Sequence, residues 1–200
     1  MFLRYHFSVI LGSLLLTVSL GIDYNAAMYA TRNAGPAVTD IFLDNAPVMD
    51  VDIIFIDGAL LFALIVAAVL LYYPKFIPFV LKSAALFIIV RSFSITLTHI
   101  GLSPQQLPVD INRFARVFLF GGDLFFSGHT GLPYLMALIF WNHKFLRNFF
   151  IFASVVAGFS VLLGHLHYSI DVFAAFFITY GIFHIAIRLF KKDYEYLLKF

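Results

Sequence analysis

The chain contains no cysteine, which excludes disulfides, zinc–thiolate sites, iron–sulfur clusters and thiol nucleophiles. Charge is scarce too: Asp, Glu, Lys and Arg make up 12% of the 200 residues, about half the share in a soluble domain. The net charge is only +2 and the basic residues are scattered, so no nucleic-acid partner is implied. No linker, internal repeat or low-complexity tract is visible. What is abundant is apolar: 62% of residues are hydrophobic, 26 are Phe and 10 are Tyr, and the mean hydropathy is +0.95. A chain with that much apolar surface cannot stay solvated as a disordered coil. It reads as an integral membrane protein.

A helix needs about 20 mostly apolar residues to cross a bilayer. Six stretches qualify, at about 7–29, 51–73, 78–101, 124–142, 148–166 and 168–190. They predict an all-α integral membrane fold, one compact six-helix bundle spanning 1–200 as a single polytopic domain. The apolar runs are continuous rather than alternating, which argues against a barrel. A second reading exists for residues 1–30, where Arg4, an apolar run and Ala27-Met28-Tyr29-Ala30 also fit a secretory signal with its cleavage site. Its removal would leave five spans.

Lys and Arg in short loops set orientation. With six spans, Arg4, Lys75, Lys82, Lys144, Arg147, Arg188, Lys191, Lys192 and Lys199 fall on one side, against Arg32, Arg91, Arg113 and Arg116 on the other. Both termini are therefore expected in the cytoplasm, with the first, third and fifth loops facing a periplasm, lumen or exterior. Acids run the opposite way, Asp193 and Glu195 being the clearly cytoplasmic ones.

Charged groups at mid-bilayer cost about 2.5–3.5 kcal/mol each on insertion scales, so polar residues within the spans are functional candidates. They are Asp23, Asp57, Arg91, His99, Asp123, His129, His165, His167, Asp171 and His184. Most map to the outer half of the membrane. Two local patterns stand out. The run Gly121-Gly122-Asp123-Leu124-Phe125-Phe126-Ser127-Gly128-His129-Thr130 leads into the fourth span; its small residues admit close backbone approach, and N–H groups at a helix start favour anions. The run His167-Tyr168-Ser169-Ile170-Asp171 opens the sixth, with His and Asp four apart on one helix face.

A carboxylate on one imidazole nitrogen fixes the tautomer and leaves the other nitrogen to attack or to take a proton. Together these groups suit phosphoryl transfer, which depends on positioning and on neutralising phosphate oxygens. His167 is expected as the nucleophile that forms a phospho-histidine, Asp171 as its orienting partner, and His129 as acid and then base. Arg91, Ser127, Gly128 and Thr130 would cradle the phosphate, with Asp123 either structural or loosely facing the substrate. Each pattern has a plainer reading: a turn with a capping Ser, a satisfied His–Asp pair, an Arg91–Asp57 ion pair holding the bundle. His165 is expected to be structural, and His99, Asp23 and Asp57 to be satisfied polar groups.

The motifs GGDLFFSGHT and HYSIDV resemble those of the sphingomyelin synthase-related lipid phosphotransferases, within the type 2 phosphatidic acid phosphatase superfamily. The similarity extends more weakly to Arg91 through Thr98 and to the Tyr180/His184 pair. The resemblance implies six spans, a His129–His167–Asp171 triad on the outer face and a metal-independent reaction with no cofactor. The chain departs from the phosphatase branch, having no Arg-Pro pair and reading Ser160-Val161 where that branch carries Ser-Arg.

The function expected is transfer of a phospho-headgroup from a phospholipid donor to a lipid alcohol acceptor, ceramide or diacylglycerol. The alternative is a lipid phosphate phosphatase, with water in place of the alcohol. A non-enzymatic lipid binder or transporter is a further class, and zinc held by His129, His165, His167 and Asp171 is the chemical rival.

Overall fold

The computed structural model describes residues 2–106 and 124–198. The described helices are α1 (Phe2–Arg32), α2 (Gly58–Tyr72), α3 (Ile77–Leu97), α4 (Gly128–Ile139), α5 (Lys144–Leu163), α6 (Ser169–Leu189) and α7 (Lys191–Leu198). A π-helical turn, Ile53–Asp57, leads straight into α2, and a 3-10 turn, Pro74–Phe76, leads into α3. No strand occurs among the described residues. Five segments are long and apolar enough to cross a bilayer: Leu3–Arg32, Ile53–Tyr72, Pro74–Leu97, Lys144–Leu163 and Ser169–Leu189. The chain is thus an all-α, multi-pass membrane protein.

The expected fourth span, 124–142, takes another form. Its helix has 12 residues, about 18 Å at 1.5 Å per residue, against a hydrocarbon core of about 30 Å. The chain is still extended at Ser127, with φ −60° and ψ 114°, and turns helical only at Gly128. Helix α4 is surrounded by its neighbours, with Thr130, Gly131, Pro133 and the whole run Leu135–Ile139 buried. Its length is therefore set by packing rather than by lipid.

Lipid tails are as apolar as Leu, so helix association here rests on close packing and interhelical hydrogen bonds. Both are visible. Helix α1 lies along α3 through a stripe of small residues, Ser8, Gly12, Ser19, Ala26, Ala27 and Ala30, all buried. Near one end Lys82 donates to Ser8 Oγ at 2.6 Å and to Asp193 Oδ2 at 2.7 Å, clipping α1, α3 and α7 together. Towards the other end the Ser92 hydroxyl donates to Asp23 Oδ1 at 2.9 Å. Hydrogen bonds of this kind contribute about 0.6–2 kcal/mol each. Between α3, α4, α5 and α6 lies an aromatic core of Phe79, Phe87, Phe126, Phe140 and Phe150, each fully buried. Phe76 stacks on Phe140 with centroids 4.4 Å apart, and Phe87 meets Phe126 edge-on at 5.4 Å. By contrast α2 buries no residue at all and shows Leu60, Leu61, Leu64 and Leu71 outward.

The segment between α1 and the π-helical turn is strapped across the start of α6. Gly35 and Gly101 cross with no room for side chains: Gly35 N–H donates to His99 O at 2.7 Å and Gly101 N–H to Pro36 O at 3.1 Å. The Tyr168 hydroxyl donates to Gly101 O at 2.9 Å, and Met49 N–H donates to Leu163 O at 2.8 Å. Asp40 takes four donors: the Ser169 N–H and hydroxyl, both at 2.7 Å, and the N–H groups of Phe42 at 2.9 Å and Leu43 at 3.1 Å. Burial alone would raise the Asp40 pKa, but the hydrogen bonds from Ser169, Leu43 and Phe42 outweigh it and hold the carboxyl below its ordinary value.

Two predictions follow from this packing. A Cβ on Gly131 would lie 2.7 Å from two ring carbons of the buried Phe87 and 2.9 Å from Thr179 Oγ1. Gly131→Ala should therefore destabilise the bundle by about 1–3 kcal/mol, read as a lower thermal midpoint in detergent. For Asp40 the folded pKa lies below the unfolded value of about 3.9, so its contribution is complete above about pH 4 and is lost as pH falls through the folded value. Between pH 5 and 3 the midpoint should drop further in the wild type than in Asp40→Asn.

Candidate active site

The first half of the site is the entry to α6. Backbone bonds from Gly164 to Ser160 O at 2.9 Å, from His165 to Leu162 O at 3.0 Å and from Leu166 to Val161 O at 2.9 Å wind the chain off α5 in a tight turn. His165 sits in the left-handed region with φ 53°, a strained conformation for a residue with a side chain. It is fully buried, and neither ring nitrogen has a hydrogen-bond partner among the described residues. The turn delivers Tyr168, in extended conformation, to the start of α6. Asp171, in the first turn, then reaches back: its Oδ2 accepts the Tyr168 N–H at 3.0 Å and lies 3.3 Å from His167 Nδ1. Asp171 is completely buried and His167 nearly so. The expected His–Asp pair is formed, and it orients the imidazole through Nδ1.

The second half is the entry to α4. Ser127 precedes the helix as its cap; its Oγ accepts the Thr130 N–H at 3.4 Å and the Thr130 hydroxyl at 3.2 Å. Both hydroxyls are fully buried in this local cap, while the amides of Gly128 and His129, in the first turn, have no acceptor within the helix. The Thr130 carbonyl is held from α5 by the Ser154 hydroxyl at 2.7 Å. Four residues after His129 stands Pro133, which has no N–H to give the His129 carbonyl. One backbone bond joins the two halves: Ser127 N–H donates to Asp171 O at 3.2 Å.

Arg91 on α3 completes the floor. Its Nε donates to Phe126 O at 3.1 Å, and its NH1 lies 3.5 Å from Asp23 Oδ1 of α1. Among the described residues the ion-pair partner of Arg91 is thus Asp23, which lies between Ser19 and Ala26 of the small stripe, rather than the expected Asp57. His129 stacks face to face on Phe55 of the π-helical turn, with centroids 4.2 Å apart and planes at 25°. The charged and polar groups that act on the His129 ring are His167, Arg91 and the Phe55 backbone. Arg91, Ser127, Gly128, His129, Thr130, His167 and Asp171 therefore share one place. Asp123 lies outside the described residues. Tyr180 and His184 form a ring pair at 4.4 Å, but about two and a half and three and a half turns further along α6 than Asp171 and on its exposed face.

Beside this cluster an apolar groove of about 510 Å³ runs between α5 and α6, lined by Val155, Gly158, Phe159, Leu162, Ser169, Ile170, Val172, Phe173 and Phe176. Its floor at Gly158 backs onto the site, since a Cβ there would lie 3.4 Å from Thr130 Oγ1. Among the described residues no group of three or more His, Asp or Glu is placed to hold a metal ion.

The contributions of Phe55 and Asp23 were not readable as site features. Asp23 stood out only as a charge within a span, and Phe55 is one of many phenylalanines in an apolar run.

Gly128 supplies the test of this arrangement. An added Cβ would lie 3.2 Å from Arg91 Nε, so the guanidinium must shift to admit it. Displacements approaching 1 Å at a reacting centre cost up to about 100-fold. On the phosphoryl-transfer chemistry expected from the sequence, Gly128→Ala should lower turnover about tenfold or more while leaving the thermal midpoint near that of the wild type. An unchanged turnover would separate Arg91 from the chemistry.

Residues 121–188, which hold both halves of the cluster apart from Arg91, match the family model described as PAP2 superfamily C-terminal. No curated protein and no solved structure matches the chain significantly. The match covers 68 of the 200 residues, the segment that forms the His167–Asp171 pair and the His129 turn, and it supports a likeness to the type 2 phosphatidic acid phosphatase superfamily, whose members are phosphoester-acting enzymes.

Proposed function

We propose that the protein is a membrane lipid phosphotransferase of the sphingomyelin synthase-related kind. The observation that carries this reading is the pairing of His167 Nδ1 with the buried Asp171 at 3.3 Å, in a site tied to His129 through the Ser127–Asp171 backbone bond. With Nδ1 held, Nε2 of His167 carries the lone pair and attacks the phosphorus of a phospholipid. The bond from phosphorus to the glycerol-side oxygen breaks, and His129 gives that oxygen its proton. A phospho-histidine bearing the headgroup remains. In the second half-reaction His129 takes the proton of an incoming lipid hydroxyl, whose oxygen displaces Nε2 and restores both histidines. Arg91 and the first-turn amides of α4 balance the charge on the phosphoryl oxygens.

The α5–α6 groove supports lipid substrates for both half-reactions, because an apolar channel of this size lets tails stay in a hydrocarbon setting while the headgroup reaches the cluster. The excess of Lys and Arg on the opposite side supports a site on the non-cytoplasmic face. The donor is a phospholipid and the acceptor ceramide or diacylglycerol. No cofactor takes part in the reaction as written.

The test offers purified protein fluorescent ceramide and diacylglycerol with phosphatidylcholine and phosphatidylethanolamine, alongside His167→Ala. A new phospho-headgroup lipid is expected, falling by at least about 1,000-fold in the variant, as is usual when a nucleophile is removed. If donors stay intact while phosphatidic acid releases inorganic phosphate, the protein is a phosphatase with the same triad. If lipid binds equally to both proteins and no product forms, it is a lipid binder.

A further inference from the structure

We infer that Asp40, in the segment between α1 and the π-helical turn, is a positioning residue for His167. The inference rests on the proposed role of His167 as nucleophile and extends it to a carboxylate 127 residues earlier in the chain. Ser169 is the first residue of α6, so its N–H has no acceptor within the helix. A capping side chain ordinarily serves the second or third N–H of a helix rather than the first, and Tyr168, the residue before α6, provides no side-chain cap. Asp40 provides one from across the fold: its Oδ2 accepts the Ser169 N–H and the Ser169 hydroxyl, each at 2.7 Å, and the carboxylate is itself buried.

The consequence reaches His167 through two bonds. Fixing Ser169 fixes the Tyr168–Ser169 peptide, and the Tyr168 N–H is the donor that shares Asp171 Oδ2 with His167 Nδ1. The His167 contact is the longer of the two, 3.3 Å against 3.0 Å. It therefore depends on where the α6 entry places both residues, and a small rotation of that entry breaks it first. The other oxygen of Asp40 is anchored locally by the Phe42 and Leu43 amides, and the Asp40 N–H donates to Asp44 Oδ2 at 3.0 Å. The anchor is a turn braced on both sides rather than a loose loop. Asp40 sits on the protein side of this link and acts on the reaction only through α6.

The test compares Asp40→Ala and Asp40→Asn with the wild type, and uses Asp50→Ala as control because Asp50 is an exposed carboxylate of the same segment. Turnover is followed on whichever lipid the wild type processes. The His167 ring is followed by ¹⁵N NMR of histidine-labelled protein, its signal assigned by difference from His167→Gln. For Asp40→Ala the expected result is a kcat about 10–100-fold lower with KM within about twofold. The His167 ring nitrogens should move from a fixed Nδ1–H tautomer to an averaged one. Asp40→Asn, which keeps one acceptor oxygen, should fall between, and Asp50→Ala should match the wild type.

A raised KM at unchanged kcat would overturn the inference, as would a lowered kcat with the His167 signal unmoved or no change in either. If Asp40→Ala does not fold, Ser169→Ala, which removes one of the two bonds and keeps the backbone one, takes its place with the same readouts. If the wild type processes no lipid, the functional reading fails and the His167 signal alone decides the positioning role.

Discussion

Asp171 ties the entry of α6 to the entry of α4. Its carboxylate accepts from the Tyr168 backbone and meets the His167 ring, and its carbonyl accepts from Ser127 at the mouth of α4. Hydrogen bonds to a carboxylate contribute about 1.5–3 kcal/mol each, and breaking one inside a protein leaves a desolvated partner behind. Both histidine-bearing segments are therefore defined relative to one fully buried residue. The remaining parts are arranged around that point: Phe55 backs the His129 ring, Arg91 spans from α1 to the Phe126 carbonyl, and Ser154 holds α4 against α5.

The surrounding bundle answers a different constraint. With no hydrophobic gain available between helices in lipid, rigidity has to come from shape and from polar links. The small stripe on α1 brings its backbone close to α3, and interlocked phenylalanines fill the space between α3, α4, α5 and α6. Polar links lie at separate levels, Lys82 with Ser8 and Asp193 at one and Ser92 with Asp23 at another. Helix α2 is apolar on all sides and has no buried residue, resting on the core only through Phe62, Val66, Val69 and Leu70, yet the π-helical turn at its head supplies the ring that backs His129. Such turns recur at functional sites because they re-aim a side chain within an otherwise regular helix.

How much of this was legible depended on sequence separation. His167 and Asp171 are four residues apart, so helix geometry alone put them together, and the structure forms the pair. The start of α4 was readable from Ser127 and the glycines around it, although the Ser127 and Thr130 hydroxyls are engaged in the cap itself. Five long spans followed from apolar runs. The shortness of α4 did not, because an apolar run gives length of hydrophobicity and not length of helix. Nor did the partner of Arg91: the sequence offers Asp57, and the α1–α3 packing brings Asp23 to it instead. The link from Asp40 to Ser169 joins residues with no periodicity between them. The direction of His165 was not legible either, because residues 165–167 lie outside any helix and its left-handed backbone sets where the ring goes.

The level of Arg91 within α3 carries one more consequence. Helix α3 continues to Leu97 beyond it, six residues or about 9 Å further along the axis, and α4 begins only beside Arg91. The start of α4 therefore lies short of the end of α3 by about two helical turns. On the proposed reading a phospholipid has to be drawn inward, its phosphate leaving the hydrated interface before it meets either histidine. On that same reading depth would filter the second reactant, because a long-chain alcohol reaches such a level from within the hydrocarbon, whereas water must follow it down from the rim.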